Sequence, residues 1–298
     1  MIDLKKILSA YKLDINGIYQ RKNKVSKEYT KNFGIQWSIF SKTQLDSNTD
    51  LDITYQRLKK DIGNDPELFF KNKVVLEVGC GAGRFTEIIS KYSKLLISVD
   101  SSDAVYSCKK VSNKENTFII KDSIYDLDIK NLKFDVVICL GVLQHTPKIN
   151  ETIIKCVEFL SKNGKLIIDQ YSVEWIPSPY FTWKYLYRII TTKINPKILL
   201  KIVRIYIDIY FPFAWIISNL KGGFIILGLI PLPIWIYKDK SLSYKEAKEW
   251  AILDTYDAFG AKFDKPTTKF NWIKRFKKLH LKLDYIKTEN GHGGIVQK

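Results

Sequence analysis

The sequence predicts an α/β fold: a seven-stranded, mostly parallel sheet with helices on both faces. Over residues 72–171, five compact β-branched runs alternate with helical patterns, as βαβ units do. The first run passes straight into a glycine-rich turn and then a helical pattern. Two more strand-like runs close the chain, with the hairpin dipeptide Asn290-Gly291 between them.

In chain order, residues 1–71 are polar and lysine-rich with scattered aromatics, and are expected to form an N-terminal helical cap. The core, residues 72–171, holds strands at Val74–Val78, Leu95–Asp100, Thr117–Lys121, Phe134–Leu140 and Gly164–Tyr171. Each is short and apolar, as a strand buried on both faces requires. Residues 172–278, rich in aromatics, Ile and Pro up to about position 240, read as a helical insertion or lid between strands five and six, because structureless loops of that length are rare. Residues 279–298 supply Leu279–Lys287 and Gly294–Gln297, an antiparallel hairpin completing the sheet.

Composition narrows the class. A chain of 298 residues with 46% hydrophobic and 13% aromatic content can bury a sizeable core, which excludes wholesale disorder. Cys80, Cys108, Cys139 and Cys156 lie far apart without a C-x-x-C pair, giving no support to a zinc ribbon or redox dithiol. Scattered thiols, and an N-terminus (Met1-Ile2-Asp3-Leu4-Lys5-Lys6) without a signal-type apolar run, suit a cytoplasmic protein, with the inner face of the membrane as a second expected location. The net charge of +17 raises a polyanion partner, but lysine accumulation in an AT-rich coding sequence accounts for it equally well.

The strongest motif is Val74-Val75-Leu76-Glu77-Val78-Gly79-Cys80-Gly81-Ala82-Gly83-Arg84-Phe85-Thr86. Glycines are needed where the chain reverses tightly and lets backbone approach a ligand. The spacing is G-x-G-x-G; the third glycine of a dinucleotide fingerprint would fall at Arg84, which weakens a nicotinamide reading. Asp100, followed by Ser101, ends the second strand, where a carboxylate can accept both hydroxyls of a ribose. Asp122-Ser123 follows the third strand, and Leu140-Gly141-Val142-Leu143-Gln144-His145 the fourth. Each has a plainer alternative: a strand-end charge at Glu77, a helix cap at Asp100, a first-turn surface residue at Arg84, a small space-filler at Cys80.

Taken together, these four elements resemble the class I, Rossmann-like methyltransferases dependent on S-adenosyl-L-methionine. The resemblance implies that cofactor, held by Glu77, Gly79, Gly81, Gly83, Arg84, Asp100, Ser101, Asp122, Ser123, Leu140 and Gln144. Phe33-Gly34-Ile35-Gln36-Trp37, Gln44-Leu45-Asp46, Leu253-Asp254-Thr255-Tyr256-Asp257-Ala258-Phe259 and Lys262-Phe263-Asp264-Lys265-Pro266 are similar to a bacterial group associated with surface-polysaccharide and glycolipid pathways. Gly260-Ala261 stands where that group usually has Ser-Pro. The implied acceptor is a small molecule, a sugar or a lipid-linked glycan, methylated at oxygen.

An oxygen acceptor must lose a proton, and a well-placed base adds about 10²–10⁴-fold. His145, at the sheet edge where ligands bind, is the first candidate; Asp169 and Tyr171, ending the fifth strand, are the others. His280 and His292 read as structural. The sequence has no His/Asp/Glu cluster with metal spacing, so no metal is expected. In the insertion, Asn195-Pro196 reads as a helix start, with Lys197, Lys201 and Arg204 on one face and Ile198, Leu199, Ile202, Ile205 and Ile209 on the other. Such a basic amphipathic helix suits peripheral contact with an anionic membrane through 184–237; a buried lid or homodimer interface is the alternative. Gly222–Tyr237 is charge-free between Lys221 and Lys238 but too short, and broken by Pro231 and Pro233, to span a bilayer. Two other functions stay open: an RNA methyltransferase, disfavoured because no separate RNA-binding module is visible and Lys274-Arg275-Phe276-Lys277-Lys278 reads as a solvated face, and a non-catalytic cofactor-binding scaffold.

Overall fold

In the computed structural model of the protein, the described residues are 7–21, 30–49, 51–129, 131–173, 179–237 and 242–298. Residues 1–6 and Lys238, both used above, lie outside them. The chain opens with β1 (Tyr11–Leu13) and β2 (Tyr19–Arg21), followed by helices α1 (Lys31–Ile39), α2 (Asp46–Thr49), α3 (Ile53–Ile62) and α4 (Pro66–Phe70). Then come β3 (Val74–Val78), α5 (Thr86–Tyr92), β4 (Leu95–Asp100), α6 (Val105–Val111), β5 (Thr117–Lys121), β6 (Phe134–Cys139), α7 (Ile149–Glu158) and β7 (Leu160–Tyr171). Helices α8 (Pro179–Thr191), α9 (Pro196–Ser218), α10 (Gly223–Leu229), α11 (Tyr244–Gly260) and α12 (Lys269–Lys278) precede β8 (Leu283–Thr288) and β9 (Gly291–Gln297).

Among the described residues the sheet has nine strands, not seven, in the order β1-β2-β5-β4-β3-β6-β7-β9-β8. From β2 to β7 all neighbours are parallel; β1 and the β8–β9 pair are antiparallel to theirs. The two extra strands are three residues each, too short to show a period-two pattern. Their turn is built locally: Asp14 Oδ1 accepts the N–H groups of Asn16 (2.8 Å) and Ile18 (3.0 Å), with Gly17 at φ +74°. The N-terminal segment is therefore a hairpin followed by helices rather than a purely helical cap. At the other end β8 starts at Leu283 and β9 already at Gly291, which pairs with both Tyr171 and Thr288.

Alternate residues of β3 serve opposite faces, as a covered parallel strand demands. Leu76 packs with Ile153, Trp272 and Phe276 from α7 and α12; Val75 packs with Leu58, Ile88 and Ile89 from α3 and α5. A third cluster lies among the helices after β7, where Leu199, Val203, Ile207 and Phe211 of α9 meet Trp250 and Tyr256 of α11. Asn195 caps α9 by accepting the Lys197 N–H at 3.0 Å, with Pro196 in the first turn. The helix turns otherwise than its charge pattern suggests: Leu199 is buried, while Ile198, Ile202, Ile205 and Ile209 are exposed.

Candidate active site

The turn after β3 is made of backbone that only glycine adopts comfortably. Gly79 sits at φ +76°, and a Cβ there would lie 2.3 Å from Val142 Cγ2. Gly81, at φ +53°, faces the Trp37 ring, 3.3 Å from where its Cβ would be. Gly83 serves the fold instead, bringing the start of α5 against Cys108 of α6. Glu77 lies beneath the turn: its Oε2 accepts the hydroxyls of Thr86 and Ser98, both at 2.6 Å, tying β3 to β4 and α5. Its Oε1 is buried without a hydrogen-bond partner, and burial pushes the carboxyl up to about 7.

Asp100, at the end of β4, points its carboxylate back at the same turn. Oδ2 accepts the Gly81 N–H at 3.0 Å, and Oδ1 accepts the Ser102 N–H and hydroxyl at 2.8 and 2.7 Å. Beyond β5, Asp122 Oδ1 accepts the Ser123 N–H at 2.6 Å, while Oδ2 accepts the Tyr11 hydroxyl at 2.8 Å and pairs with Arg21 at 3.2 Å. The N-terminal hairpin thus holds the carboxylate in place. Gly79, Gly81, Asp100, Ser101, Asp122, Ser123 and Leu140 all line one cavity of about 560 Å³. Arg84 lines it too: Nε donates to Thr54 Oγ1 at 3.0 Å, and the guanidinium lies over the Phe85 and Trp250 rings. Burial, then the neighbouring Arg57 charge, pull its pKa down to about 10. Glu77, Gly83 and Gln144 stand behind the wall; Gln144 is fully buried, and its backbone carbonyl accepts the Lys265 N–H at 3.1 Å.

The same cavity also gathers His145, Tyr171 and Asp257. His145 Nδ1 lies 2.9 Å from the Phe263 carbonyl oxygen, which can only accept, so Nδ1 carries the hydrogen and Nε2 the lone pair. Nε2 is 3.7 Å from Asp257 Oδ2, and the Tyr171 hydroxyl donates to the same oxygen at 3.3 Å. The imidazole is held between Phe33, tilted with ring centroids at 5.0 Å, and Tyr171, edge-on at 5.5 Å. Asp254, one helical turn before Asp257 on α11, is pushed up to about 7 by burial and by that second carboxylate.

Asp169 does not join this group. Its Oδ1 accepts the Gly141 N–H at 2.6 Å, and its Oδ2 accepts the Asn290 amide at 2.8 Å and lies 3.4 Å from Arg57. Burial raises it to about 6 against the pull of Arg57. With both oxygens engaged and no place on the cavity wall, it anchors the loop after β6. Sequence reasoning did not single out Asp257, Asp254, Lys184 (paired with Asp264), Arg57 or Trp250 as site residues. One signal for the first two was present: an i, i+3 pair of carboxylates inside the quoted stretch Leu253–Phe259 occupies one helix face.

The glycine turn and the carboxylates that close on it come from one contiguous part of the chain. Residues 76–168 match the family model described as a methyltransferase domain. That span runs from β3 to β7 and carries the turn, Asp100 and Asp122. The chain is similar to the ubiquinone biosynthesis O-methyltransferase of Coxiella burnetii, 28% identical over 105 residues, which are 34% of this chain and 45% of that one. It is also similar to the tRNA U34 carboxymethyltransferase of Campylobacter fetus, 30% identical over 141 residues, 45% of this chain and 50% of the relative. The chain spans about half the length of these curated relatives. Among solved structures, the N-methyltransferase NodS from Bradyrhizobium japonicum, in complex with S-adenosyl-L-homocysteine, aligns with a TM-score of 0.31 and 21% identity over 38% of this chain and 71% of that one. An O-methyltransferase family 2 protein from Planctomyces limnophilus, in complex with apigenin, aligns with a TM-score of 0.43 and 13% identity over 76% of this chain and 51% of that one.

Proposed function

We propose that the protein transfers the methyl group of S-adenosyl-L-methionine to a hydroxyl oxygen of a small acceptor, a sugar or a lipid-linked glycan. The observation that carries this reading is a single cavity lined both by the glycine turn with Asp100 and by His145 with Asp257. The turn fits the cofactor because a Cβ at position 81 would reach into the space beside Trp37. Asp100 would accept the ribose hydroxyls, Asp122 and Ser123 would meet the adenine end, and Arg84 the carboxylate. When bound, the cofactor supplies a methyl group already activated by the sulfonium charge.

The remaining chemistry falls to this chain's own groups. Holding the acceptor oxygen in line with the methyl can supply up to about 7–11 kcal/mol in well-aligned cases. His145 Nε2, with its lone pair free of the Nδ1 hydrogen, takes the acceptor's proton. The Asp257 carboxylate, 3.7 Å away, stabilises the resulting imidazolium, and Tyr171 orients that carboxylate. Trp235 and Tyr237 also line the cavity, aromatic surface of the kind that suits the apolar side of a sugar ring.

Calorimetry and labelled-methyl transfer to cell-envelope extracts test the reading together. Asp100→Ala is expected to weaken cofactor binding by at least about tenfold through loss of charge-assisted hydrogen bonds. His145→Ala is expected to leave binding intact while lowering transfer by about 10²–10⁴-fold. Binding with no transfer to any extract would favour a scaffold; absence of binding would end the proposal.

A further inference from the structure

Helix α9 is apolar on two opposite sides. One side buries Leu199, Val203, Ile207, Phe211 and Ala214. The other leaves Ile198, Ile202, Ile205, Ile209, Phe213 and Ile216 exposed, at spacings of three and four that keep them in one line. Helix α8 adds exposed Leu186, Ile189 and Ile190, and α10 adds exposed Ile225, Ile226 and Leu229. Because α10 packs on both α8 and α9, these rows belong to one helical layer. Isolated surface hydrophobics are ordinary, but rows on this scale mark a partner surface.

Charge selects the partner. Residues 184–237 contain seven Lys and Arg, of which Lys184 and Arg188 are buried, against a single acid, Asp208, which pairs with Lys248 at 2.8 Å. Exposed Lys197, Lys201 and Arg204 line the flank of α9 beside the isoleucine row. A second copy of the chain would bring the same layer, whose single acid is already paired, and so no anionic counterpart for this basic flank. A bilayer with anionic headgroups accommodates both features, apolar row and basic flank. None of the helices among the described residues is long and apolar enough to cross a membrane, so the contact is interfacial.

We propose that this layer docks the protein on an anionic membrane surface, with the α9 isoleucine row at the acyl boundary and the basic flank among the headgroups. The same layer reaches the cavity, since Lys184 of α8 and Trp235 beyond α10 line it. Docking would therefore bring a lipid-carried acceptor to the layer that walls the cavity; this last link rests on the methyl-transfer reading, whereas the docking does not.

Co-sedimentation of the full chain with vesicles tests it, comparing pure phosphatidylcholine with phosphatidylcholine containing phosphatidylglycerol. Binding is expected on the anionic vesicles and is expected to weaken as salt is raised. Replacing Lys197 or Lys201 with Gln should weaken it about fivefold each. Ile205→Glu combined with Ile209→Glu should weaken it by about tenfold or more, with an unchanged thermal transition because both positions are exposed. Equal binding to neutral vesicles, or indifference to these substitutions, overturns the proposal. So does a dimer in sedimentation velocity that Ile205→Glu splits while no vesicles are bound, which would assign the face to a second copy. Cofactor calorimetry on the same variants should be unchanged. A wild type that binds vesicles but no cofactor would overturn the methyl-transfer reading and leave the docking standing.

Discussion

Glu77→Gln isolates the electrostatics beneath the glycine turn. The carboxyl is fully enclosed, and burial outweighs its hydrogen bonds from Ser98 and Thr86, raising it from 4.5 to about 7. The folded protein therefore holds this proton more tightly than the unfolded chain does. The stability it contributes is fully present below the unfolded value near 4.5 and is lost as pH rises through about 7. At about 1.36 kcal/mol per pH unit, the shift corresponds to about 3 kcal/mol of stability missing at alkaline pH. Glutamine keeps an oxygen to accept the Thr86 and Ser98 hydroxyls and cannot ionise. Urea unfolding across that range should show the variant gaining on the wild type as pH rises, by about 3 kcal/mol in all. A difference that stays flat with pH would show that the carboxyl ionises freely in the folded state, and would refute the reasoning.

Two further substitutions probe the site's framework. Gly79→Ala puts a methyl 2.3 Å from Val142 Cγ2 at a positive φ, and should destabilise the fold by about 1–3 kcal/mol while weakening cofactor binding, both measurable on one sample by denaturation and calorimetry. Arg57→Ala leaves Asp61 and Asp169 buried without their cation and should cost about 3–5 kcal/mol in thermal or urea unfolding; a loss under 1 kcal/mol would mean the pair is solvated.

The central strands were the most legible part of the fold. Val74–Val78, Leu95–Asp100 and Thr117–Lys121 fall where their apolar runs end, because strands covered on both faces leave no polar side to blur the pattern. The β1–β2 hairpin was not legible: three residues per strand carry no periodicity, and the hairpin joins the sheet only where β2 meets the distant β5. The same division runs through the site. Gly79, Gly81, Asp100 and Asp122 follow directly from strand ends and come together at the cavity. Asp257 meets His145 only because α11 folds back across more than a hundred positions, and nothing local announces that meeting. On α9, charge spacing picked out one flank, but two apolar rows a half-turn apart left it undecided which faces the core; packing against α11 decided it.

Arg188 of α8 donates through its two terminal nitrogens to the carbonyls of Ala258 and Ala261 at 2.7 and 2.6 Å, and Thr191 Oγ1 donates to Phe259 O at 2.9 Å. These carbonyls belong to the last turn of α11 and the residue after it, which no helical N–H would otherwise reach. One guanidinium therefore latches the segment carrying Lys184 to the helix carrying Asp257. Any movement of α8 must therefore carry this end of α11 with it, so that Lys184 and Asp257 keep their relative places on the cavity wall.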